Sequence, residues 1–109
     1  MVSNGSREQV LTRAQAALEA GAAWRARDLL AAHVEAVKDP EAMALLGEVY
    51  EGMGDLPRAG AIWFATGAKG DQVDAAVAAW RAQSGDDFAA MWWSLPASVR
   101  VDPLPRRIE

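Results

Sequence analysis

An all-α domain of about six helices is the fold this chain predicts, and three observations predict it. Apolar residues recur at spacings of three and four, the mark of helices with one buried stripe each. Glycines close several of those periodic runs, as helix C-terminal caps do. No stretch alternates apolar with polar as a half-buried strand would, and β-branched residues are few. A chain of 109 residues suits one domain, hiding roughly two-thirds of the surface its unfolded form exposes.

The elements follow in order. Ser6 and Gln9 have the form of a capping box, and neither Gly nor Pro interrupts the run before Gly21, so a first helix is expected over about residues 7 to 20. From Ala22 to Lys38 the apolar positions Ala26, Leu30, Val34 and Val37 define a second, with His33 at the edge of its stripe. Asp39-Pro40 reads as an N-cap followed by Pro at the first helical position, which also stops the preceding helix. The third helix buries Met43, Leu46, Val49, Tyr50 and Met53 and closes at Gly54. Asp55 opens the fourth, with Pro57 in its first turn. "GAKGD" is a loop whose Asp71 caps a fifth helix that buries Val73, Ala76, Val77 and Trp80 up to Gly85. A short sixth, from Asp86 to Leu95, carries Phe88, Met91, Trp92 and Trp93 until Pro96 ends it. Residues 1–95 then form one helical domain. Pro96, Pro103 and Pro105 leave 96–109 as an extended or disordered tail bearing Arg100, Arg106 and Arg107.

Composition excludes several functions. The absence of cysteine removes disulfides, thiolate zinc sites and thiol nucleophiles, and the single His33 removes paired-histidine metal motifs. No metal site or cofactor is expected. A net charge of -4 and a pI near 4.9 disfavour nucleic acid, whose binding rests on Lys and Arg neutralising phosphates, and no basic recognition helix is present for a helix-turn-helix reading. "MVSNGSREQ" lacks the apolar core of a secretion signal and no run approaches a membrane span, so a cytoplasmic chain away from the membrane is expected. Arg outnumbers Lys 9 to 2 among the 11 basic residues, the bias of a GC-rich bacterial genome.

Catalysis finds no carrier. His33 shares no helix face with Asp28 or Glu35, so it reads as a packing residue. Asp55, Asp71 and Asp86 stand where N-caps belong. "GAKGD" lacks the spacing of a phosphate loop and the Ser or Thr after its Lys. No catalytic residue is assigned, and the chain is expected not to be an enzyme.

The turn glycines Gly21 and Gly54 lie 54 - 21 = 33 residues apart, close to the period of about 34 that tetratricopeptide repeats show. The stretch "LLGEVYEGMGDLPRAGAIWFATGA" (45–68) resembles one such repeat: Leu46-Gly47, Tyr50, Gly54, Ala59 and Trp63 fall where that family places its Leu-Gly, Tyr, turn Gly, Ala and aromatic. Small Gly47 and Ala59 mark where the two helices of a hairpin cross with backbones close together, and Tyr50 and Trp63 fill the space beside the crossing. The first hairpin follows the order with Ala14, Ala17, Gly21, Ala26 and Leu30, though Arg13-Ala14 replaces Leu-Gly; the third unit is cut short by Pro96. The arrangement also resembles, loosely, a small actinobacterial family of unknown function. The resemblance implies antiparallel hairpins in a short right-handed superhelix, with an open end that a second copy of the chain could cover as a homodimer.

It further implies that the first helix of each pair lines a concave groove. Glu8, Gln15 and Glu19 of the first helix, with Leu11 and Leu18, and Glu41, Ala44, Glu48 and Glu51 of the third would face it, giving an acidic surface suited to a basic protein or peptide. Family members that clamp a peptide carboxylate use Lys, Arg and Asn on this face, chemistry that Ala44 and Glu48 do not supply. A solvated charged face is the plain alternative. Among five tryptophans, Trp63 and Trp80 are expected in the core, Trp24 lies off the main stripe, and the adjacent Trp92 and Trp93 cannot both face inward. The leading expectation is a protein-binding module, an adaptor or an inhibitor of the immunity-protein kind. The alternative is an accessory or structural subunit that oligomerises through Trp92, Trp93, Arg106 and Arg107 at its C-terminal end.

Overall fold

The structure, a computed structural model, describes residues 3–101, with side chains from Arg7 to Arg100. Six α-helices follow one another: α1 (Ser3–Glu19), α2 (Ala23–Ala36), α3 (Pro40–Gly52), α4 (Leu56–Thr66), α5 (Asp71–Gln83) and α6 (Phe88–Trp93), with a 3-10 turn at Val99–Val101. No strand occurs among the described residues. Connections of three or four residues (20–22, 37–39, 53–55 and 67–70) make each of α2 to α5 turn back along the helix before it. From α1 to α5 every helix packs on the next, the α4 and α5 pair most extensively. Alternate helices form two layers, and the shortest dimension of the molecule, 20 Å, is about two helix diameters.

The helix ends explain the connections. Gly21 and Gly54 adopt φ of 80° and 81°, a conformation that a Cβ would penalise. Each lets the following N–H reach back six residues inclusive: Ala22 N–H donates to Ala17 O at 2.8 Å and Asp55 N–H to Tyr50 O at 2.9 Å. Two identical stops 33 residues apart thus set two hairpins in the same phase. The side chains of Asp39 and Asp55 accept from the N–H groups of Ala42 and Arg58, as N-caps do. Three boundaries differ from expectation. α1 starts at Ser3, so Ser6 lies inside the helix rather than capping it. The N-cap of α5 is Gly70, with Asp71 as the first helical residue. For α6 the cap is Asp87, bonded to the N–H groups of Ala89 and Ala90, because Gly85 and Asp86 both take positive φ and spend one more residue on the turn.

The core runs through both hairpins. Ala14, Ala17, Ala26, Leu30, Val34, Met43, Leu46, Val49, Tyr50, Ala59, Ile62, Trp63 and Ala76 form one buried cluster. Trp80, Ala61 and Leu95 form a second, against which Trp92 and Met91 pack. Val37 and Met53, expected in the stripes, are exposed because α2 and α3 end just before them. The close approaches are also redistributed. The space at Gly47 is taken by the Trp63 indole, whose Cδ1 would lie 2.7 Å from a Cβ there. Backbone meets backbone at Gly60 instead, where a Cβ would overlap the carbonyl of Ala76 on α5. The small residues of the sequence pattern predict the crossing at Gly47 and Ala59 instead.

From Pro96 the chain was expected to be extended. As far as Val101 it is a compact turn that crosses back to α2. Ser98 is buried; its N–H donates to Glu35 O at 3.0 Å and its hydroxyl to Val34 O. These carbonyls belong to the last turn of α2, where helical partners run out. Arg106 and Arg107 lie outside the described residues.

Candidate functional site

The residues expected on an acidic face are mostly exposed. Glu8, Gln15 and Glu19 on α1 and Glu41, Ala44 and Glu48 on α3 are exposed, and Glu51 is partly so. Two contacts hold α3 between its neighbours on this side: Arg7 of α1 bonds Glu41, and Gln72 of α5 bonds Glu51. Glu41 and Glu51 therefore serve the fold as well as the surface. Glu8, Glu19 and Glu48 form no ion pair among the described residues.

Beside this face lies a polar junction that local spacing in the sequence does not reveal. Asp39 is only 3% exposed. Its carboxylate accepts from Arg7 Nε at 2.8 Å, from His33 Nε2 at 2.9 Å and from the Ala42 N–H at 3.3 Å, joining α1, α2 and α3 at one atom group. Burial alone would push the Asp39 carboxyl up. The hydrogen bonds from His33, Ala42 and Arg7, with the Arg7 charge, outweigh it and hold the carboxyl below its ordinary range. The partner of His33 is neither of its near carboxylates in sequence, Asp28 and Glu35, but Asp39, six residues on across the α2–α3 turn. Among the described residues no group of three or more His, Asp or Glu is arranged to hold a metal.

The opposite layer carries a concavity of about 320 Å³ between α2 and α4, roofed at one end by Ser94 and Pro96. Leu46, Ile62 and Trp80 give it an apolar lining, with Glu35, Arg58 and Gln83 around it. A smaller hollow shares Ala31, Tyr50 and Arg58 with it and adds Arg27, Asp28 and Asp55. Each arginine there is paired, Arg58 to Asp55 at 2.7 Å and Arg27 to Asp28 at 2.9 Å. Trp80 Nε1 donates to Ser94 Oγ at 2.8 Å, tying α5 to the end of α6.

The tryptophans divide as their spacing requires. Trp63 and Trp80 are buried, Trp92 packs on the second core cluster, and Trp93 is 65% exposed with the Arg100 guanidinium 4.9 Å from its ring centroid. Trp24 and Phe88 also face outward. No helix of the described residues is long and apolar enough to cross a membrane. No protein-family model, curated protein or solved structure matches the chain.

Proposed function

We propose that the chain is a non-catalytic binding module that holds a basic segment of another protein on the outer face of α1, α3 and α5. The observation that carries this reading is the bracketing of α3: Arg7 on one side and Gln72 on the other make its carboxylate stripe the centre of a three-helix surface. With α3 held in place by these contacts, Glu8, Glu19 and Glu48, which form no ion pair among the described residues, keep their charge for a cationic partner, and complementary charge speeds encounter. Adaptor and inhibitor are both uses of such a face.

The test separates the surface role of these residues from their structural one. Reversing Glu41 or Glu51 would strike the contacts to Arg7 and Gln72, so Glu8→Arg with Glu48→Arg is the better variant. With an unchanged circular dichroism melt, it should lose whatever basic partner the wild type captures from a bacterial lysate, and wild-type capture should fall with added salt. Equal capture by both forms makes the stripe a solvated face. A second reading has its own observation: Phe88 and Trp93 stand 50% and 65% exposed on six-residue α6, an aromatic end suited to self-association. Sedimentation of wild type and Trp93→Ser decides it, a dimer lost on substitution being the supporting result.

A further inference from the structure

We propose that the concavity between α2 and α4 is a second binding site, for a neutral amide attached to an apolar side chain, as an uncharged hydrophobic peptide residue presents. Tyr50 is the starting point. It is 8% exposed, and its hydroxyl has no hydrogen-bond partner among the described residues. No buried side-chain polar atom among them is left unsatisfied, so this hydroxyl must reach open space. Tyr50 lines both hollows between α2 and α4, and the charges acting on its hydroxyl are Arg58, Asp55, Arg27 and Asp28 of the smaller one, so the residue stands where the two hollows adjoin. A phenylalanine would fill the same core volume without bringing a polar group into it. Elsewhere the interior leaves nothing unspent: Asp39 accepts three times, the Trp80 indole meets Ser94, and Ser98 caps α2.

The chemistry of an occupant follows from the walls. Ala31, Pro57 and Pro96, only partly buried, offer apolar walls over the buried Leu46, Ile62 and Trp80, and about 320 Å³ is at the low end for ligand pockets, room for one side chain rather than an extended cofactor. Burial pushes the Tyr50 hydroxyl up from its ordinary pKa, so it stays protonated and donates to a carbonyl. The charge of Arg58 is balanced by Asp55 at 2.7 Å, so it adds little attraction for an anion. Glu35, on the rim and in no ion pair among the described residues, repels a carboxylate and accepts an amide N–H. A carbonyl acceptor, an N–H donor and an apolar side chain together describe an internal peptide residue.

The probe is N-acetyl-L-phenylalanine amide, titrated into the whole chain and followed by amide and indole NMR shifts. Saturable shifts gathered on Tyr50, Ala61 and the Trp80 indole are expected. The carboxylate analogue N-acetyl-L-phenylalanine should bind at least about fivefold more weakly because of Glu35. Tyr50→Phe removes a hydroxyl that supports no internal bond, so it should melt like the wild type and bind about threefold to tenfold more weakly. Ala61→Leu fills the hollow and should abolish the shifts. If that variant fails to fold, Tyr50→Phe still decides. Scattered or non-saturating shifts, preference for the carboxylate, or full affinity in Tyr50→Phe would each overturn the site.

Discussion

At the scale of single residues, Asp39 binds more of the fold together than any other polar group described. It caps α3, anchors Arg7 of α1 and fixes the His33 ring on α2. Removing it leaves a helix without its cap and a nearly buried imidazole without its acceptor. Asp39→Ala should therefore cost about 2 to 4 kcal/mol in chemical denaturation, while Asp39→Asn, able to cap, should cost less. The carboxyl's pKa in the folded chain is depressed, so its stabilisation is present in full above the unfolded value of about 3.9 and disappears as pH falls through the lower folded value. Acid titration of stability should show a drop in that window for the wild type, and a shallower one for Asp39→Asn. Equal acid sensitivity in the two proteins would mean that the drop comes from other carboxylates.

At the scale of elements, what pairs the helices is the placement of the smallest residues, and two glycines test it differently. A methyl at Gly47 meets the Trp63 indole, a side chain able to tilt; one at Gly60 meets the Ala76 carbonyl and the Val77 N–H, backbone that moves only if α5 moves. Gly47→Ala should cost about 1 to 3 kcal/mol by overpacking and Gly60→Ala clearly more, ranked by urea midpoints; the reverse order would show that α5 yields more easily than Trp63. The same pair shows why the helices were legible and their contacts less so. Periodicity, caps and turn glycines act within a few residues, so α2 to α5 were readable nearly to their ends. Whether Gly47 admits a backbone or an indole depends on where α4 sits, and spacing alone does not carry that. Asp86 misled for a related reason: a positive-φ turn of two residues rather than one moves the cap to Asp87 without changing the local composition.

At the scale of the whole molecule, a row of helices each touching its neighbours behaves as a one-dimensional array whose ends fray independently. Here the chain escapes that limit by returning its C-terminal segment to α2, through two bonds from Ser98 to carbonyls 63 and 64 residues earlier, Glu35 and Val34. The prolines around it disguised the segment as a tail, since nothing in "PASVR" announces that a serine will meet unpaired carbonyls at a distant helix end. The candidate surfaces divide the same way. The carboxylate stripe on α3 follows from local periodicity, whereas the Tyr50 hollow exists only because α2, α4 and the returning segment enclose it. If that segment makes the fold one cooperative unit, breaking its attachment should separate the two ends. Ser98→Pro removes both donors, and three of the five tryptophans, Trp80, Trp92 and Trp93, lie next to the C-terminal end while most of the helical signal comes from α1 to α5. In the wild type, tryptophan fluorescence and far-ultraviolet circular dichroism should then melt together. In Ser98→Pro the fluorescence change should begin at lower temperature than the circular dichroism change, with faster amide exchange in α6 and in the last turn of α2. Coincident melts at the wild-type temperature in the variant would mean that neighbour packing alone sustains cooperativity and that the return to α2 is incidental.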